Sequence, residues 1–296
     1  MKKVIIALLF FALFTPSFAQ RAEISWVQSW VYWLQNINID ELKNSSSDLV
    51  VIDYTQNGMD ENAFSAKEIA SLQQKGKIVL AYLSIGEAED YRFYWKSSWQ
   101  EGNPKFIGEE NDEWKGNYKV KYWYKGWWDK VLKPYMDKIL SAGFNGVYLD
   151  IIDGYYYFGE KNNKIKQRAR DMVKLVEKIA KYGRDNYGEE FIVVPQNGSS
   201  ILDDVSAKYR ARYIDAIDAI GVESLYYNIY NQEDKEYRLE KMAQLDSQNK
   251  LILNVEYLNE SKYDEYFNIW ENSELNIVGY PADEDRALDK LITPYP

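Results

Sequence analysis

The 296-residue chain contains neither cysteine nor histidine. Without cysteine there is no disulfide, thiol nucleophile, thiolate metal site or lipid-modified cysteine. The missing histidine is more restrictive, because the commonest general base and the commonest metal ligand go together. Ser-His-Asp hydrolysis and histidine-based zinc chemistry are both excluded. An enzyme made from this chain takes its acid and base from carboxylates, helped by Tyr or Lys. Positive charge is also scarce, with 36 Lys and Arg against 46 Asp and Glu and a formal charge of −10. That balance disfavours nucleic acid and anionic membrane surfaces and suits a neutral or cationic substrate. Long apolar runs are missing apart from residues 4–14, which fall short of the ~20 residues of a membrane span. Lys2 and Lys3 precede this run and Thr15-Pro16-Ser17-Phe18-Ala19 follows it. Residues 1–19 therefore read as a secretory signal cleaved after Ala19, with a retained anchor as the alternative. No Pro/Gly/Ser-rich linker divides residues 20–296, so one exported domain is expected, as a monomer with no membrane attachment after cleavage.

What the chain has in excess is aromatic residues: 26 Tyr, 10 Trp and 11 Phe. Sugar rings present apolar faces edged by hydroxyls, so aromatic platforms beside carboxylates and amides suit carbohydrate. Barrels and their helices also bury many aromatics, and most are expected to serve packing.

Short apolar runs recur, each closed by polar groups. Leu49-Val50-Val51-Ile52 leads to Asp53-Tyr54, and residues 78–83 lead to Ser84, Glu87 and Glu89. Gly146-Val147-Tyr148-Leu149 leads to Asp150 and Asp153, residues 191–194 lead to Gln196-Asn197, and residues 219–222 lead to Glu223. Residues 251–255 lead to Glu256-Tyr257, and residues 276–280 end on Tyr280 before Asp283. With residues 29–34 the count is eight strands. Helical patterns over 62–74, 129–142, 164–182, 233–248, 261–271 and 285–292 lie between or after them. This alternation predicts an α/β fold, a (β/α)8 TIM barrel, with a long aromatic-rich insertion after strand 3 running from Gly86 to about Gly126. Two or three aromatics of that insertion are expected to face substrate. The competing doubly wound sheet lacks a Gly-rich phosphate loop.

In a barrel, polar groups at strand C-terminal ends converge on one rim. Glycoside hydrolysis needs one carboxyl group to protonate the leaving oxygen and a second as nucleophile or base. Asp150 and Glu223, ending strands four and six, fit as the catalytic pair, with Asp53, Glu87, Asp153 and Glu256 as rivals. Asp153 also suits helix capping. Gln196 and Asn197 suit gripping hydroxyls or orienting a carboxylate. Tyr54, Tyr82, Tyr148, Tyr227 and Tyr280 are candidate stacking faces or hydroxyl donors, and Ser84 completes the substrate-binding set. Arg92 is expected to hold Glu87 and Glu89 in an ion-pair network. No metal and no cofactor are expected. A non-catalytic polysaccharide-binding barrel, or a hydrolase using a carboxylate-held calcium or magnesium ion, are the alternatives.

The segments Ala81-Tyr82-Leu83-Ser84-Ile85-Gly86-Glu87-Ala88-Glu89-Asp90-Tyr91-Arg92, residues 143–153, Val194-Pro195-Gln196-Asn197-Gly198 and Gly221-Val222-Glu223 resemble glycoside hydrolase family 114, the endo-α-1,4-polygalactosaminidase-like group. The resemblance spans nearly all of the chain after the signal. It implies a (β/α)8 barrel, cleavage of α-1,4-linked galactosamine-containing polysaccharide with retention, Asp150 as nucleophile and Glu223 as acid/base. A de-N-acetylated galactosamine polymer is cationic, which agrees with the acidic charge balance.

Overall fold

The computed structural model describes residues 21–292, and the expected signal segment lies outside them. The strands in chain order are β1 (Trp30–Trp33), β2 (Leu49–Ile52), β3 (Ile78–Ser84), β4 (Glu87–Glu89), β5 (Ile107–Glu110), β6 (Asn117–Val120), β7 (Gly146–Asp150), β8 (Ile192–Pro195), β9 (Ala219–Glu223), β10 (Leu251–Leu258) and β11 (Ile277–Asp283). The eight expected apolar runs form parallel strands in the orders β1-β2-β3-β7-β8 and β9-β10-β11. A parallel bridge between Gln196 and Gly221 joins β8 to β9. On the other side β11 lies beside β1, where the Trp30 indole donates to the Val278 carbonyl at 3.0 Å. The fold is a (β/α)8 barrel. Its strands are apolar without alternation because helices cover them outside and side chains fill them inside.

Alternate residues of a strand share a face, and the inward set is aromatic. Trp30 and Tyr32 of β1 meet Tyr148 of β7 at ring-centroid distances of 6.1 and 5.2 Å, and Trp30 meets Tyr280 of β11 at 5.8 Å. These rings are buried and form a solid floor. The inward register continues upward from Tyr148 to Asp150 and from Gly221 to Glu223.

The helix Ile165–Tyr187 buries Ala169, Met172, Val173, Val176, Ile179, Ala180 and Gly183, a stripe at steps of three and four. Gly183 is required where the helix meets the sheet, since a Cβ there would lie 2.1 Å from the Phe191 ring. The helix expected over 129–142 is instead a π turn, Trp128–Leu132, followed by Lys133–Ser141. Pro134 has no N–H to continue the ladder, and the wider turn absorbs that gap. The helix expected over 285–292 does not form. Arg286 and Leu288 adopt left-handed φ of 60° and 50°, and the Leu288 carbonyl accepts from Leu34 and Gln35 at 2.9 and 3.0 Å. A short helix with little to pack on is marginal, and these bonds to the end of β1 replace it.

The connection after β3 is ordered into an antiparallel sheet, β4-β6-β5. Its aromatics form a small core of their own. Trp95 stacks on Tyr118 at 4.7 Å, Trp99 meets Phe106 at 5.4 Å, and Phe106 meets Trp127 at 5.6 Å. The Trp127 indole donates to the Ile85 carbonyl at 3.0 Å and ties this core to the end of β3. Truncating so deeply buried a Trp costs about 3–5 kcal/mol. Tyr91, Trp114 and Tyr124 stay exposed, at 48%, 57% and 40%. Among the described residues no helix is long and apolar enough to cross a membrane.

Candidate active site

Asp150 ends β7 and Glu223 ends β9, so the parallel topology delivers both carboxyl groups to one mouth of the barrel. In each case the next residue is left-handed: Ile151 has φ 61° and Ser224 φ 51°. For β-branched Ile151 that conformation is strained. It persists because Gly86 lies against it; a Cβ on Gly86 would sit 2.4 Å from the Ile151 carbonyl oxygen. The sharp turn aims the Ile151 N–H at Asp150 Oδ1, 2.7 Å away. The other oxygen, Oδ2, accepts from the Tyr82 hydroxyl at 2.6 Å.

Glu223 is held as firmly. Asn197 donates to its Oε2 at 2.6 Å and accepts from its backbone N–H at 3.0 Å, and the Tyr257 hydroxyl donates to Oε1. Arg238 donates to the Glu223 and Ser224 carbonyls. Buried Glu256 accepts the N–H groups of Leu225, Tyr226 and Tyr227 at 2.7, 2.8 and 3.2 Å. The loop after Glu223 is thereby pinned from below.

The two acids share one electrostatic environment. Burial, and then the charge of Glu223, push the Asp150 carboxyl up to about 7, against the Tyr82 and Ile151 hydrogen bonds that lower it. Burial keeps the floor tyrosines Tyr32, Tyr82, Tyr148 and Tyr257 neutral and able to donate. A carboxyl pair that resists double ionisation is equipped for proton transfer near neutral pH.

Beneath Tyr82 lies a buried ion-pair cluster. The Arg92 guanidinium donates to both Asp53 oxygens at 3.0 and 2.8 Å, to the Tyr135 hydroxyl at 2.8 Å and to Glu89. Tyr91 adds a hydroxyl bond to Glu89 at 2.6 Å. The guanidinium carbon lies 5.9 Å from the Tyr82 ring, so the cluster backs the tyrosine that holds Asp150. Removing one partner of such a pair leaves a buried charge, at a cost of about 3–5 kcal/mol.

The model of glycoside-hydrolase family GH114 matches residues 15–286. The chain belongs to this family. It is a glycosidase. An uncharacterised protein of Methanocaldococcus jannaschii, MJ1477, is 38% identical over 275 residues, 89% of this chain and 78% of that one. An uncharacterised protein of Thermotoga maritima is 36% identical, covering 89% and 83%. Among solved structures, the glycoside hydrolase domain of PelA from Pseudomonas aeruginosa superposes with a TM-score of 0.67 at 17% identity, covering 90% of this chain and 98% of that one. Ega3 of Aspergillus fumigatus, solved in complex with galactosamine, gives 0.63 at 17% identity, covering 92% and 97%. At that identity the likeness is one of fold.

Within this GH114 barrel the other expected site residues separate into groups. Gln196 lies beside the pair: Leu149 pairs with Pro195, so Gln196 follows on the face of Asp150, and its Oε1 accepts from Tyr32 at 3.0 Å. Ser84 pairs in register with Asp150 and donates to the Glu87 carbonyl at 3.1 Å. Asp153 stands at the start of the helix Gly154–Glu160 without capping it. Four residues are engaged elsewhere. Asp53 is spent on Arg92, Glu87 accepts from Asn111 at 2.9 Å, Tyr227 donates to Glu265 at 2.9 Å, and Glu256 serves the loop. Tyr54, Tyr148 and Tyr280 are buried; Tyr54 packs on Phe93 and Tyr135. Arg92 pairs with Glu89 and Asp53; no bond joins it to Glu87.

Tyr257 is absent from the sequence-derived set. The apolar run suggested that the strand stops at Val255, which made Glu256 the rim acid. The strand continues to Leu258, and Val255 pairs with Glu223, so the inward face carries Tyr257 and the outward face Glu256. Extending the alternation two residues past Val255 was the available signal.

Proposed function

We propose that the protein is an exported, endo-acting hydrolase of α-1,4-linked galactosamine-containing polysaccharide, and that Asp150 and Glu223 are its carboxylate pair. The observation that carries this proposal is the matched support of the two acids. Each ends a barrel strand, each is held by a tyrosine hydroxyl, and the charge of one raises the proton affinity of the other. The galactosamine bound by Ega3 and the net charge of −10 support a cationic amino-sugar polymer as substrate. The apolar run at residues 4–14 supports export.

In the assignment implied by the family, ionised Asp150 attacks the anomeric carbon while Glu223 protonates the leaving oxygen. Glu223 then takes a proton from the water that releases the sugar from Asp150, restoring both groups. Asp150 must lose its proton to attack. The donors Tyr82 and Ile151 favour that loss, and a protonated amine on the carbon next to the attacked one favours it further. Glu223 needs mobility of its proton without mobility of its side chain, and Asn197 and Tyr257 supply the second.

Incubating the chain from residue 20 onward with a partially de-N-acetylated α-1,4-galactosamine polymer tests this proposal. A rapid fall in chain length is expected before small products accumulate. Unchanged chain length would overturn the substrate, and small products alone would overturn endo action.

A further inference from the structure

Asp153 lies three residues past Asp150, in the turn after β7. Gly198, the residue after Asn197, packs against this turn: a Cβ on Gly198 would be 2.7 Å from Ile152 and 3.2 Å from the Asp153 nitrogen. Asp153 therefore stands between the ends of β7 and β8, next to the amide that clamps Glu223. The residue is exposed and does not cap the helix behind it; its carboxyl accepts from its own backbone N–H, and among the described residues it enters no ion pair. Desolvation raises its proton affinity, the bond from its own backbone N–H opposes this, and the charge of Glu223 adds to the rise; it in turn raises the proton affinity of Asp150. Of the arginines near the pair, Arg92 is committed to Asp53 and Glu89, Arg238 to backbone carbonyls and Asp234, and Arg286 lies over the Tyr257 ring at 4.9 Å.

A second observation comes from Gln196, which is 2% exposed. Its side-chain oxygen accepts from Tyr32, and among the described residues its amide nitrogen has no hydrogen-bond partner. Gln196 lies two residues before Gly198, the glycine that packs on the turn of Asp153. A carboxylate without an ion-pair partner at this corner suits a cationic group on the substrate.

We propose that Asp153 and Gln196 form the subsite that recognises an unacetylated amino sugar beside the Asp150–Glu223 pair, Asp153 accepting from its ammonium and Gln196 donating to a ring hydroxyl. This proposal rests on the galactosamine reading above and adds the residues that set the preference for the free amine. A charge-assisted hydrogen bond is stronger than a neutral one, and an N-acetyl group supplies neither the charge nor the spare donors.

The test compares α-1,4-linked oligomers of equal length, one with free amines and one N-acetylated. They are cleaved by the wild type, Asp153→Asn and Asp153→Glu. The wild type should favour the amine oligomer. In Asp153→Asn the ratio of kcat/KM for amine over N-acetyl should fall at least about tenfold, mainly through KM, as expected for a lost charge partner. Asp153→Glu should recover part of it. An unchanged ratio in Asp153→Asn, or a wild type that prefers neither oligomer, would overturn this proposal and leave the glycosidase assignment standing. A wild type that cleaves neither oligomer would remove the substrate reading and this subsite with it.

Discussion

The Tyr82 hydroxyl donates to Asp150 Oδ2 at 2.6 Å across two neighbouring strands. Tyr82 pairs in register with Tyr148, one inward step below Asp150, so its ring stands upright beside the acid while the Arg92 cluster supports it from behind. Replacing Tyr82 with Phe removes one of two donors on the carboxyl. Turnover should fall about 10- to 100-fold, through kcat more than KM. The limb of the pH–rate profile near 7 should move to higher pH, because that hydrogen bond lowers the Asp150 pKa. A limb that stays in place would show that Tyr82 only packs.

The coupling of the acids gives a second expectation. With Asp150 as nucleophile and Glu223 as acid the pair must hold one proton, so kcat/KM on the polymer should fall as that proton is lost through about 7, whereas on a substrate whose leaving group needs no proton it should rise there. This apparent value belongs to the pair. Glu223→Gln removes the neighbouring negative charge. On an aryl glycoside whose leaving group needs no proton, the rising limb should then shift down by about one pH unit or more. An unmoved limb would mean that the two groups do not sense each other.

Holding Asp150 at this place costs stability at neutral pH. An unfolded aspartate has the ordinary value of 3.8, and the fold holds Asp150 up to about 7. Where both states are protonated, below about pH 4, the group is neutral to folding. As pH rises through 7 the native state resists ionising and stability is lost. Asp150→Asn should therefore raise the unfolding free energy at pH 7.5 by about 1–3 kcal/mol, discounted for its partial solvent contact. Little difference from wild type should remain at pH 3.5. Thermal melts at both values check this; an Asn variant less stable at pH 7.5 contradicts it.

Gly221 is a packing requirement of the floor. A Cβ there would lie 1.9 Å from the Tyr148 hydroxyl oxygen and 2.5 Å from its ring carbon Cζ. Gly221→Ala should destabilise by about 1–3 kcal/mol through overpacking and should lower activity by displacing Glu223 two residues on. Tyr148→Phe should cost little alone, since among the described residues that buried hydroxyl has no hydrogen-bond partner. In the double variant it should recover part of the loss. A strictly additive double variant would place the clash elsewhere.

The barrel and the place of Asp150 and Glu223 at strand ends were legible in the sequence for one reason: both follow from local pattern. A parallel strand announces itself as an apolar run, and Asp150 and Glu223 interrupt such runs at their ends. What holds the acids comes from distant positions: Tyr82 to Asp150 spans 68 residues, Tyr257 to Glu223 spans 34, and Arg92 to Asp53 spans 39. No local pattern distinguishes a tyrosine that grips a carboxylate from one that packs. The same limit explains Glu256, whose place after an apolar run resembled that of Asp150 although it faces outward. It also explains residues 285–292, where bonds to β1 outweigh a local helical pattern.

The most direct measurement is reducing-end release from a partially de-N-acetylated α-1,4-galactosamine polymer by the wild type, Asp150→Asn and Glu223→Gln, with each variant shown to be folded by its melting transition. The wild type should release reducing ends steadily, and both variants should fall by at least about 1,000-fold, as expected when a nucleophile or acid is removed. Wild-type rates in either folded variant would contradict the assignment of Asp150 and Glu223 as the carboxylate pair.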